Sequence, residues 1–204
     1  MGKLLLGSVI AAAAMFAWGF VFWVVLGVPQ DTLKSVPDVP AAQAALKSVF
    51  PESGAYFIPD ESLPQDEFVR LHEAGPRAFI HYNAEGAPAM APATLLSGFL
   101  LNWVTCFLLG WLLLQTNTPG YLSRVFFLTV AGVTAALFID YGAVIWFYAD
   151  RPFQLVNLLS TSASWLVAGL LLATGFFGVL SKHLLVFKSL RTACQHPFFD
   201  KELS

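Results

Sequence analysis

Four long apolar runs set the pattern of this chain: Leu4 to Val28, Thr94 to Leu114, Val125 to Tyr148 and Phe153 to Leu180. Each reaches the roughly 20 residues that a helix needs to cross a hydrocarbon core, and the only formal charge inside any of them is Asp140. The pattern predicts an all-α membrane protein. With flanking turns, its transmembrane helices occupy 4–28, 94–114, 119–148 and 152–180, followed by a tail, 181–204. Lys3 and the first run resemble the start of a signal peptide, with small residues Ala11 to Ala14 near a cleavage position. The run continues through Trp18, Phe20, Phe22 and Trp23, however, beyond the roughly 7–15 residues of a signal core. An uncleaved anchor is expected.

The polar stretch 29–93 has patterns of its own. Pro40 to Phe50 and Pro64 to Glu73 read as short helices, and Ala55 to Pro59 and Arg77 to Tyr82 as short strands. These predict a small α/β extracytoplasmic module inserted between transmembrane helices 1 and 2, with Val49, Phe50, Tyr56, Ile58, Phe68, Phe79 and Tyr82 as its core. Nine carboxylates stand against four bases in this stretch. A solvated acidic surface accounts for them; a docking face for a basic partner or a weak cation site is the functional alternative. Thr118-Pro119-Gly120 and Asp150-Arg151-Pro152 are tight turns, so spans two to four are expected to form a consecutive antiparallel bundle.

Depth and face bring polar residues together. Asn102 lies about 12 Å from the near end of its span, Asp140 and Ser160 fall at a similar depth in theirs, and Gly19 is close to level. Asn157, Ser160, Thr161 and Ser164 share one helical face. Gly98, Asn102 and Thr105 share another, as do Gly132, Ala136, Asp140 and Ala143. Small residues let membrane helices approach, and hydroxyl or amide groups bond across the contact. The expected intramembrane polar layer is therefore Asn102, Thr105, Asp140, Asn157, Ser160, Thr161 and Ser164. A carboxylate at this depth is costly and marks a functional site by default; the readings it leaves open are a protonated or well-bonded group that fixes helix register, a proton or cation pathway, and a contact with a partner subunit.

Composition fits this picture: 57% of residues are hydrophobic and 12% charged, against about 25% charged in soluble domains. The net charge of −2 leaves no basic stripe for nucleic acid. Lys3, Arg124, Lys182, Lys188 and Arg191 flank one side of the spans and only Arg151, beside Asp150, the other, which places both termini in the cytoplasm of a bacterial inner membrane protein. None of the four histidines lies in a span, so a bis-histidine haem between helices is excluded. His72 and His81 read as surface residues of the module. Cys106 and Cys194 sit at different depths and are not expected to bridge, no Cys-x-x-Cys occurs, and no His/Cys cluster suggests a metal. The six tryptophans read as core or interface anchors. No catalytic set is apparent, and the sequence names no cofactor.

Trp18-Gly19 and Trp23, Thr32-Leu33-Lys34, the stretch Ser53 to Pro59, Asp140 and Trp146-Phe147-Tyr148 resemble an uncharacterised group of bacterial four-span membrane proteins. The resemblance implies the architecture and no catalytic residue. The long first and short second outer connections are also similar to claudin-like tetraspans, whose paired loop cysteines are absent here. The resulting expectation is a non-enzymatic accessory or structural subunit of a larger membrane complex, in contact with the lipid bilayer and with other membrane protein subunits, a homo-oligomer being left open. The alternative is a small transporter or proton/cation-coupled channel using Asp140.

Overall fold

The computed structural model describes residues 2–174; the tail 181–204, with Cys194, His183, His196 and the three bases assigned there, and the predicted end of the fourth span lie outside the described residues. Among the described residues, four helices are long and apolar enough to cross a membrane. The first is α1 (Gly2–Phe20), prolonged by a π turn over Val21–Val25. The second is α4 (Pro92–Gln115), and the third is α5 (Tyr121–Ala136), continued by a π turn (Leu137–Tyr141) and by α6 (Gly142–Trp146). The fourth is α7 (Arg151–Leu172). Between α1 and α4 lie α2 (Val39–Val49), β1 (Gly54–Ile58), α3 (Gln65–Ala74) and β2 (Ala78–Tyr82).

Local chemistry explains the boundaries. Asp38 caps α2, its carboxylate accepting from the Ala41 N–H at 3.0 Å, and Asp150 caps α7 in the same way through Phe153 N–H at 3.1 Å. Each cap is followed by a proline in the first turn, where the missing N–H costs no helical bond. Asp150-Arg151-Pro152 can therefore end one span and start the next within a few residues.

The spans do not pack in chain order. α1 lies between α4 and α7, α7 lies between α1 and α5, and α4 touches α5 and α7 only marginally. The expected consecutive bundle of spans two to four is thus replaced by a row, α4–α1–α7–α5. The physical reason is the small-residue stripe of α1, where Gly7, Ser8, Ala11 and Ala12 are all buried. Such a stripe lets α4 approach closely where no hydrophobic force orders helices in lipid. Leu4, Met15, Cys106, Leu109, Leu113, Leu128, Ala168 and Leu172 complete the core. Between α5 and α7 the fit is closer still: a Cβ at Gly132 would coincide with the ring of Trp165, and one at Gly169 would meet the Val125 carbonyl at 3.4 Å.

In the module, β1 and β2 pair antiparallel with Phe57 opposite Phe79. One sheet face carries Tyr56 and Tyr82, stacked on buried Phe50 at centroid separations of 4.4 and 5.4 Å. The opposite face carries Phe57 and Phe79, which meet Tyr148 and Phe147 at 5.5 and 5.0 Å. The expected core therefore divides between two faces. Val49 belongs to neither, being 64% exposed, because Phe50 at the end of α2 is the residue turned onto the sheet.

Candidate functional site

Asp140 occupies the π turn of the third span. A single π turn adds a residue to the helical repeat and is frequent at functional sites. The carboxylate oxygen Oδ2 of Asp140 is buried and has no hydrogen-bond partner. On α7, which packs on this turn, the amide nitrogen of Asn157 donates to Gln154 Oε1 at 3.2 Å, one turn back. That bond leaves Asn157 Oδ1, likewise buried, without a donor.

The level of the two groups follows from the packing of α5 on α7. The helices run antiparallel with Gly132 against Trp165. Eight residues onward from Gly132 is Asp140 and eight back from Trp165 is Asn157, a matched displacement of about 12 Å along each helix. The π turn also packs directly on α7.

The remaining polar residues belong to other contacts. Ser160 is 6% exposed, and its carbonyl accepts from Trp18 Nε1 at 3.2 Å and from Ser164 Oγ at 2.9 Å, which ties α1 to α7. Thr161 is half-buried one residue further along α7. Asn102 and Thr105 are half-buried on α4, whose main neighbour is α1. Among the described residues no hydrogen bond joins Asn102, Thr105, Ser160, Thr161 or Ser164 to Asp140.

Two features escape a reading by depth and face. Ser8, fully buried on α1, accepts from Trp103 Nε1 at 3.1 Å and donates to the Leu5 carbonyl at 2.8 Å. The signal available was the indole N–H itself, which needs an acceptor when buried. Nearby, the thiol of buried Cys106 lies 3.3 Å from Met15 Sδ. Trp18, Trp103 and Trp165 are thus packing groups with specific partners, while Trp111 and Trp146 are exposed on the helix surface.

The second feature is a clamp on Tyr148. This residue adopts a left-handed φ of 58°, an outlier for a bulky side chain. Its hydroxyl lies 2.8 Å from His72 Nε2, the Arg77 guanidinium covers its ring at 4.6 Å, and Phe57 packs beside it. His72, expected as a surface residue, is instead half-buried on α3 and anchors the module to the third span. His81 is exposed. Elsewhere in the module, the Ser62 backbone N–H, at 2.8 Å, and secondly the Ser62 side chain hold the Asp60 carboxyl below its ordinary range.

Among the described residues no group of three or more His, Cys, Asp or Glu is placed to hold a metal. Comparisons with protein families, with curated proteins and with solved structures give no match to this chain.

Proposed function

We propose that this protein is a non-enzymatic subunit of a larger membrane assembly, and that α2 is the element through which its module engages the partner. The observation that carries this reading is the unpartnered apolar stripe of α2. Val39, Ala42, Leu46 and Val49 follow helical spacing, yet α2 has no buried residue, and Val39, Leu46 and Val49 are 55%, 40% and 64% exposed. Anchors at this spacing suit an amphipathic helix laid in an apolar groove. Across the module, nine carboxylates outnumber four bases, and the one ion pair among the described residues, Arg70 with Glu67 at 3.9 Å, is exposed. The partner that fits is a membrane protein subunit with an apolar groove and a basic rim.

In this reading the chain is a multi-pass protein of a bacterial inner membrane, with cytoplasmic termini and an extracytoplasmic module. Lys3 and Arg124 at one end of the spans, against Arg151 beside Asp150 at the other, support that orientation. Native mass measurement after mild extraction, on the native chain and on a Leu46→Glu/Val49→Glu variant, tests the partner. A defined subunit in fixed stoichiometry is expected with the native chain and is lost in the variant, while circular dichroism and the protease resistance of 29–93 stay unchanged. A native chain that purifies alone, with a photo-crosslinker at Leu46 trapping only lipid or a second copy of itself, would overturn the proposal.

A further inference from the structure

The uncompensated acceptors of Asp140 and Asn157 define a second property, independent of any partner on α2. Buried polar atoms are nearly always bonded, and here two fall at one level of one helix pair, Asp140 Oδ2 and Asn157 Oδ1. Both are oxygens that accept. Neither oxygen can donate to the other, and the Asn157 amide nitrogen donates to Gln154 Oε1. Charge balance leads to the same gap. Asp140 is the only formal charge within the four apolar runs, and among the described residues no Lys, Arg or His pairs with it. An ionised carboxylate withdrawn from water without a counter-charge is strongly unfavourable.

We propose that Asp140 and Asn157 form a binding site for one monovalent cation, a proton or an alkali-metal ion, held between Asp140 Oδ2 and Asn157 Oδ1. One positive charge supplies what both oxygens lack and makes the site neutral, whereas a divalent ion would leave a net positive charge in the membrane. Gln154 orients the site by fixing the Asn157 amide, so that its carbonyl oxygen rather than its nitrogen is presented. The π turn sets the Asp140 side chain in the contact with α7. The donor set consists of oxygens, one anionic and one neutral, as suits a hard cation or a shared hydrogen.

The test compares thermal unfolding midpoints of the full chain in lipid nanodiscs, across pH, in sodium, potassium and choline chloride at equal ionic strength. A bound cation stabilises the folded state in proportion to its occupancy. The native chain is expected to gain stability either on acidification or on replacing choline by sodium or potassium; the first identifies the proton and the second the metal ion. Asp140→Asn should abolish that response, and Asn157→Leu should weaken the apparent ion affinity about tenfold, the equivalent of one lost hydrogen bond. Infrared spectroscopy of carboxyl-labelled native chain keeps the test open if Asp140→Asn does not insert. An acid carbonyl band that Asn157→Leu shifts identifies the proton, and a carboxylate band that differs between sodium and choline identifies the metal ion. A midpoint indifferent to cation, with one pH dependence in native and Asp140→Asn chains, would overturn the proposal. So would a carboxylate band unaffected by cation or Asn157→Leu. Both α2 and its stripe are untouched by these variants, so failure here leaves the partner reading standing.

Discussion

A single methyl group added at Gly132 tests the packing that sets the level of Asp140. The Cβ of Gly132→Ala would occupy the space of the Trp165 ring, so either the indole leaves its rotamer or α5 and α7 separate. Overpacking of this kind costs typically about 1–3 kcal/mol. The upper end is expected, because the collision involves the root of the indole, its Cβ, Cγ and Cδ2, rather than a flexible tip. Alanine's better helix propensity returns only about 0.5–1 kcal/mol. Gly169→Ala provides the control: its Cβ would meet Val125 O, Thr129 Oγ1 and Leu128 Cβ at 3.4 to 3.6 Å, tight but without overlap, and the expected cost is about 1 kcal/mol or less. Trp165→Leu vacates the ring, so the Gly132→Ala/Trp165→Leu double variant should be more stable than the two single costs predict, by about 1–3 kcal/mol. Reversible unfolding in mixed micelles, followed by circular dichroism, gives all four free energies of the cycle. A Gly132→Ala chain as stable as the native one, or strictly additive costs in the double variant, would refute the close approach of these helices.

Further outcomes follow from three contacts outside that interface. Tyr148→Phe removes the bond to His72 and should loosen the module on the third span by about 0.5–1.5 kcal/mol, read as faster hydrogen exchange in α3 and β2. Tyr148→Gly relieves a left-handed backbone but loses the ring held by Phe57 and Arg77, and should loosen the module further. Trp103→Phe leaves the Ser8 hydroxyl without its donor and should cost about 0.5–1.5 kcal/mol; a matching Ser8→Ala cost, not additive with it, verifies the pair. Asp60, whose carboxyl lies below its ordinary range in the folded module, favours the folded state above the unfolded pKa, and this contribution is lost as pH falls through the lower folded pKa. Ser62→Ala should leave most of the depression in an NMR titration, since the backbone N–H of Ser62 is its largest cause.

The four spans were legible because membrane crossing depends on the length of a local apolar run, and the outlines of α2, β1, α3 and β2 were legible because capping, proline placement and side-chain period are local too. Asp140 stood out for the same reason, as the lone charge in a run where charge is costly. Which spans are neighbours was not legible. Small residues line α1, α5 and α7 alike, and in lipid, where no hydrophobic force orders the helices, the choice falls to the match of one surface with another. That match put α1 between α4 and α7, paired Ser8 with Trp103 and Gly132 with Trp165, and packed the π turn of Asp140 on α7, the helix of Asn157. It also joined His72 and Arg77 to Tyr148 across more than seventy residues of chain. Such contacts depend on where distant backbones place a donor, an acceptor or a ring, and no periodicity within either segment encodes that position.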